Sequence, residues 1–480
     1  MAETEEKDKK FLWFIRIRSD ISPLNFCGFI VTVLFSITFF VFLNSSTSFV
    51  ISVLLGITNN IGQYSGDLTF YDEILTLFLA LFWGSLSDRI GRRPVAVASY
   101  LLIGLSMFVF TLAKNVYPDL LLCRLVFAAG ASGASTMITA LTGDYTGRNR
   151  GTMSAIAGLV AGIGALIGVF GLLPMPATLQ SRYGSLEQAV RVSFYATGAI
   201  AFGVAILAFL LLKNEKDRSL IKWMRGENRE LVKESYFKLI GRGFLSAKQD
   251  TRIMLAYIGG FVARADSIMA SLFITLIINQ YFISNKLCQV GVSSAYADTA
   301  AIRSSCRDAY TTSSIISGIS SVFALIGAPL FGFLADRIPR TIALSVACVC
   351  GVVAFFGMGL IPDPRSKIAY FFSAMIGIAQ IGTIVTSLAL VSEDYVSPEI
   401  RGSVSGTYTL MGGIGILVIS KLGGHLFDSW TPGAPFIIMG IMHAIVAIFG
   451  FIVEIISRKR KGHQLDASPN EDGLQKDTDI

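Results

Sequence analysis

Apolar stretches of about 20 residues recur twelve times along this 480-residue chain. That is the length a bilayer core of ~30 Å demands of a helix rising ~1.5 Å per residue. The approximate spans are 28–56, 69–87, 95–113, 119–142, 152–173 and 193–212, then 252–282, 311–335, 342–361, 368–392, 403–422 and 434–456. The first is long and interrupted by Asn44-Ser45-Ser46. Charged residues make up 15% of the chain, against roughly 25% in a soluble domain. The class is therefore a polytopic, all-α membrane protein. The net charge of +7 does not mark a nucleic-acid partner. It lies largely in loops and tails beside apolar runs, where it orients helices and meets anionic membrane lipid.

The chain repeats itself. Gly84-Ser85-Leu86-Ser87-Asp88-Arg89-Ile90-Gly91-Arg92-Arg93 joins two apolar runs and returns as Gly332-Phe333-Leu334-Ala335-Asp336-Arg337-Ile338-Pro339-Arg340-Thr341, an offset of 248. Asp144-Tyr145 with Arg150-Gly151 returns as Asp394-Tyr395 with Arg401-Gly402, at nearly the same offset. Two landmarks recurring in order indicate two fused six-helix halves. Gly84 and Gly91 allow close backbone approach and unusual φ. The arginine excess of these loops, of the middle loop and of the tail Arg458-Lys459-Arg460-Lys461 falls on one side, which makes that side cytoplasmic. An even number of spans then puts both termini there. No cleavable signal peptide is visible: residues 1–23 carry mixed charge and the first apolar run is too long for one.

The two decapeptides resemble the loop between helices two and three of the major facilitator superfamily and its degenerate copy between helices eight and nine. The resemblance implies twelve transmembrane helices in two pseudo-symmetric six-helix bundles around a central cavity. The divisions are a cytoplasmic tail at 1–23, bundles at 24–212 and 252–456, a cytoplasmic linker at 213–251 and a disordered tail at 457–480. It implies secondary active transport of a small solute by alternating access, coupled to protons, in a monomeric, multi-pass membrane protein. Facilitative uniport is the alternative; a non-transporting sensor or a lipid scramblase on the same scaffold is the rival from another class. Gating motifs retained in both halves favour transport, and no polar stripe requires a scramblase groove. No phosphate-binding loop or catalytic constellation is present, so neither an enzyme nor ATP-driven transport is expected, and no cofactor. The strings Leu43-Asn44-Ser45-Ser46 and Phe261-Val262-Ala263-Arg264-Ala265-Asp266-Ser267 look most like a group of fungal transporters. The membrane, vacuolar or other endomembrane or plasma, stays open.

In that family an acid at the position of Asp88 caps a neighbouring helix and pairs with arginines when the cytoplasmic side is shut. A carboxylate at a helix start gains ~0.3–1 kcal/mol. Asp88 would meet Arg150 or Arg148 and the helix starting near Gly402; Asp336 would meet Arg401 and the helix starting near Gly151. Gly84, Arg89, Gly91, Arg92, Arg337 and Arg340 complete the expected gate. The bland alternative is solvated loop charge, and Pro339 and Thr341 depart from the family pattern.

Ionisable groups inside the apolar runs are the candidates for chemistry. Arg264 and Asp266 sit ~18–21 Å along their helix from Arg252, at mid-bilayer, where facing lipid costs at least ~2.5–3.5 kcal/mol. Two residues apart, they point to different sides. Both are expected to line the cavity, with Asp266 in coupling or substrate recognition; the alternative is a structural ion pair. Arg124 occupies the fourth helix, where many proton-coupled family members carry an arginine, although Ala128 stands where the pattern has glycine. Asp72 and Glu73 begin the second helix; if buried, one is the counter-ion of Arg124, and proton uptake would weaken that pair. Asn44, Ser45, Ser46 and, more weakly, Gln380 are read as cavity-lining polar groups, against helix–helix contact. Gly158, Gly162, Gly164, Gly168 and Gly171 suit close packing, and the absence of a Gly-Pro pair before Pro174 counts against a drug:proton antiporter.

The remaining features are peripheral. Cys288 and Cys306 share one non-cytoplasmic loop and can form a disulfide in an oxidising compartment. The six cysteines and three histidines show no metal spacing. Phe11-Leu12-Trp13-Phe14-Ile15 reads as a short interfacial helix, Ser219–Leu239 as an amphipathic surface helix, and the chain beyond Gly462 as disordered.

Overall fold

The computed structural model describes residues 9–11, 15–17, 21–145, 150–214, 236–287, 299–391 and 401–466. Among them, twelve helices are long and apolar enough to cross a membrane. They are α1 Pro23–Leu54, α2 Ile61–Ser87, α3 Arg92–Phe110, α4 Val116–Thr142, α5 Ile156–Tyr183 and α6 Leu186–Leu211 in the first half. The second half has α7 Thr251–Ser284, α8 Arg307–Arg337, α9 Arg340–Leu360, α10 Lys367–Val391, α11 Val404–Ser429 and α12 Ala434–Lys459.

Several local expectations are corrected. The first span is not broken at Asn44: helix is continuous from Pro23 to Phe49 and passes into a wider π-turn at Val50–Leu54. Residues 44–49 are all buried, and Thr47 Oγ1 donates to the carbonyl of Leu43 at 2.8 Å, so the polar run is absorbed without interrupting the backbone ladder. The second span begins at Ile61, about two turns before the apolar run suggested. Lys9–Phe11 and Ile15–Ile17 pair as antiparallel strands β1 and β2 where a helix was expected. Strand residues Ile15 and Ile17 are β-branched, which favours extended backbone. The described linker helix is Tyr236–Gln249, later than the stretch 219–239; Tyr257 Oη ties it to α7 by donating to the carbonyl of Gly243 at 3.0 Å. Residues 215–235 lie outside the described residues. Helix continues beyond α12 to Asp466, past Gly462.

The halves are built alike. In the first, α3 packs on α4 and α6, α2 on α4, and α1 on α4, α5 and α6. In the second, α9 packs on α10 and α12, α8 on α10, and α7 on α10, α11 and α12, the same pattern shifted by six helices. Single π-turns fall in corresponding helices too: α1 and α5 at Val50–Leu54 and Ile167–Leu172, α7 and α11 at Met269–Phe273 and Ile419–Gly423.

Between the halves, α2 lies against α11, α5 against α8 and α1 against α7. The described contacts are at mid-depth or toward the end remote from the termini. A Cβ on Gly66 would come within 2.1 Å of the Ser420 carbonyl oxygen and 2.9 Å of Gly424 Cα, so two backbones touch there. Phe49 stacks on Tyr310 with ring centroids 3.8 Å apart, and Ser45 Oγ donates to the Ser271 carbonyl at 2.7 Å. Lys421 Nζ meets Asp67 Oδ1 at 2.8 Å. The bundle is closed at that remote end.

Candidate functional site

The first half holds a buried cation. Arg124 of α4 is 1% exposed. Its Nε donates to Asp72 Oδ2 of α2 at 2.6 Å, its Nη1 to Thr47 Oγ1 at 2.5 Å and its Nη2 to Asn44 Oδ1 of α1 at 2.9 Å. An uncompensated guanidinium at this depth would be costly; the carboxylate and two neutral oxygens replace its hydration shell. The earlier start of α2 puts Asp72 three turns inside the bundle, where it is the counter-ion of Arg124. Asn44 is correspondingly a ligand of Arg124, 2% exposed, rather than part of an open cavity wall.

Glu73, next along α2, turns toward α11. A Cβ on Gly413 would lie 3.2 Å from Glu73 Oε1 and 2.7 Å from Leu77 Cδ2. One residue earlier, a Cβ on Gly412 would lie 2.6 Å from Arg264 Cγ. Consecutive glycines on α11 thus seat an acid from the first half and a base from the second. Arg264 is exposed although α7 is the most buried of the twelve spans. It faces the space between the halves, where it acts electrostatically on Glu73 and on Tyr408 of α11. Tyr408 Oη and Ser387 Oγ, 2.9 Å apart, continue the polar wall. The glycine pair carried no signal of its own in the sequence.

Asp266 is where expectation and structure part. It does not line the cavity: it is 0% exposed and points to the far face of α7 from Arg264. Its Oδ2 lies 3.2 Å from Nε2 of His443 on α12, also 0% exposed. Successive residues at 264 and 266 lie ~200° apart around a helix, so one is presented to the cavity and the other to the bundle interior. His443 was missed because a lone histidine in an apolar run shows no partner in sequence. Gln380 of α10 sits beside this helix, Nε2 3.4 Å from Ser267 Oγ.

At the terminal end, Gly91 has φ +93°, which glycine tolerates and other residues rarely do; Gly84 meets only Thr136 Cγ2 at 3.8 Å, so no close approach requires it. Arg92 Nε binds Asp144 Oδ2 at 2.8 Å and its Nη1 donates to Ser87 Oγ at 2.6 Å. In the second copy, Arg340 Nη1 donates to the Ala389 carbonyl at 2.8 Å, Arg337 lies 4.9 Å over its own helix's Phe333, and Asp336 and Arg89 are exposed. Cys288 and the side chains of Asp88, Arg150, Arg401 and Cys306 lie outside the described residues.

Comparison with known proteins agrees with the architecture. The sequence matches the Major Facilitator Superfamily over residues 34–420, with a further match over 258–476. It is similar to the magnetosome protein MamH of Paramagnetospirillum magneticum, 22% identical over 421 residues, covering 86% of this chain and 88% of MamH. It is 23% identical over 397 residues to MamZ of Magnetospirillum gryphiswaldense, covering 81% of this chain but 56% of MamZ, so it spans little more than half of that relative. These long matches are bacterial and replace the fungal group suggested by the strings at 43–46 and 261–267. The nucleoside transporter NupG shares the fold, with TM-score 0.62 at 14% identity over 90% of this chain and 99% of NupG. Twelve spans in two like halves, a charged seam between them and a sequence match over most of the length make one statement: this chain is a secondary transporter of the Major Facilitator Superfamily and not an enzyme.

Proposed function

We propose that the chain carries a small charged solute across the membrane by alternating access, driven by protons, with Arg264 and Glu73 as the solute-binding groups. The observation that carries this reading is the seam at Gly412-Gly413. It brings one acid and one base from opposite halves to mid-depth, and among the described residues neither is closed into an ion pair. A solute that satisfies both charges draws the halves together; an empty site leaves each charge to water. Binding energy that depends on both halves is what a rocking carrier needs. Arg264 offers a planar fork to a carboxylate or phosphate, and Glu73 accepts a cationic or N–H group. The bundles at 24–212 and 252–456 are the moving bodies, 213–251 the connection, and both termini are on the cytoplasmic side.

The test is uptake and efflux profiling in proteoliposomes with and without a proton gradient. Wild type should accumulate a charged solute only with the gradient. Arg264→Gln and Glu73→Gln should each lose transport and counterflow together, because binding is lost. Accumulation independent of the gradient would make the chain a uniporter, and undiminished counterflow in both variants would move the solute elsewhere.

A further inference from the structure

The hydrogen-bond inventory of His443 fixes a proton. Its Nδ1 lies 2.9 Å from the carbonyl oxygen of Met439. A carbonyl only accepts, so Nδ1 carries the hydrogen. In a neutral imidazole Nε2 is then a bare lone pair. Yet Nε2 faces Asp266 Oδ2 at 3.2 Å, and a carboxylate is also only an acceptor. Two acceptors in contact inside a dry helix bundle repel unless one of them is protonated. One proton beyond that on Nδ1 must therefore reside on the pair, on Nε2 as an imidazolium or on Oδ2 as a carboxylic acid.

Among the described residues nothing else compensates the pair. Asp266 Oδ1 and Oδ2 and His443 Nε2 are buried without a hydrogen-bond partner among the described residues, so the 3.2 Å approach of Oδ2 to Nε2 is a close charge contact short of an aligned hydrogen bond. From α9 the buried thiol of Cys348 lies within electrostatic reach of Asp266. No lysine, arginine or further acid among the described residues acts on Asp266; Arg264 is on the opposite face of its helix. His443 is wedged between α9 and α12: a Cβ on Gly351 would lie 2.1 Å from its Cδ2, and the Phe355 ring centroid is 5.0 Å from its own.

We propose that Asp266 and His443 together bind one exchangeable proton, loaded in the state seen here and released when α7 moves against α12. Resting on the proton-driven reading given above, this places the driving proton away from the solute, on the other face of the helix that presents Arg264. Solute drawing Arg264 toward the seam shifts α7, and the same shift opens the contact with α12. Release is a simple transfer: the Nε2–H or Oδ2–H bond breaks, water takes the proton, and the pair is left as neutral imidazole and carboxylate.

Two measurements on the full-length protein test this. In nanodiscs, 15N-histidine NMR, with His443 assigned by its loss in His443→Gln, together with the infrared carbonyl stretch of protonated carboxylic acids, reports where the proton sits. The expected result is either a doubly protonated His443 or an acid band that disappears in Asp266→Asn. A bare Nε2 with no acid band across the stable pH range overturns the proposal. In proteoliposomes, a pH-sensitive dye follows proton movement with any solute the wild type carries. Asp266→Asn keeps an N–H donor for Nε2 and removes the proton site, so it should lose solute-driven proton flux and accumulation while keeping counterflow. Wild-type proton flux in that variant also overturns it. If the wild type itself moves solute without protons while the pair holds one, the proton-driven reading beneath it fails instead.

Discussion

Arg124 and Asp72, 52 positions apart, meet with Nη2 2.5 Å from Oδ2 in the interior of the first half. The remaining donors of the guanidinium reach Asn44 and Thr47, so one side chain joins α1, α2 and α4. Removing one member of such a buried pair strands a charge, at a cost of roughly 3–5 kcal/mol. Replacing both by apolar residues of similar volume is often neutral. Asp72→Leu alone and Arg124→Met alone should therefore lower the melting temperature clearly. The double variant should recover most of it yet still transport poorly, because α2, which presents Glu73, loses its common polar anchor with α1 and α4. Equal melting temperatures in singles and double would show that the pair does not behave as a buried unit.

Gly412 and Gly413 frame the proposed solute site by what they lack. A side chain at 413 would meet Leu77 Cδ2 at 2.7 Å and Glu73 Oε1 at 3.2 Å. Gly413→Val should push Glu73 out of the seam and abolish solute binding. Gly412→Ala should be milder because alanine adds a single carbon, although that atom stands 2.6 Å from Arg264 Cγ and shifts the root of its side chain. Ligand-induced thermal shift with a carried solute separates the two; equal loss in both, or none at 413, would remove the seam from the site.

Much of this was legible beforehand, for identifiable reasons. Span number and the two-half repeat follow from apolar length and from the decapeptide at 84–93, both local signals. Arg124, Arg264 and Asp266 stood out because charge is expensive in hydrocarbon. Partners were another matter. The start of α2 reads as loop because Gly62, Gln63, Ser65, Gly66 and Asp67 look polar and loose. They are helical since the opposite half supplies what they need: backbone contact at Gly424 and a cation at Lys421. His443 likewise acquires meaning only from Asp266, across the whole second half of the chain.

Gly66 makes the remote closure a matter of backbone contact. With Ser420 oxygen 2.1 Å and Gly424 Cα 2.9 Å from where a Cβ would stand, neither neighbour can move aside as a flexible side chain would. Gly66→Val should hold the remote end open. Spin labels on Asn59→Cys and Thr431→Cys would report a longer distance than in the Gly66 protein. An unchanged distance distribution would mean that the closed end tolerates the wedge, and that this packing does not set the gate.

The last prediction weighs two polar contacts across the same closure. Lys421 and Asp67 form an ion pair at 2.8 Å, but the lysine side chain is 49% exposed, and exposed pairs contribute only ~0–1 kcal/mol. Asp428 does something different. Helix α2 starts at Ile61, and the side chain of Asn60 before it caps nothing. Its orphan N–H groups are instead taken by the other half: Gly62 N donates to Asp428 Oδ1 at 3.2 Å and Gln63 N to Oδ2 at 2.6 Å. A carboxylate capping a helix N-terminus meets the positive end of the helix dipole, and hydrogen bonds to a charged acceptor are worth about 1.5–3 kcal/mol. The cap exists only while the halves are closed at this end, so its free energy belongs to the closed state alone. Asp428→Ala should shift the equilibrium toward the open state by about tenfold or more, as ~1.4 kcal/mol corresponds to a factor of ten. Lys421→Ala should shift it little. The same spin-label pair reads both populations. If Lys421→Ala opens the remote end as far as Asp428→Ala does, charge attraction rather than the shared helix cap holds it shut.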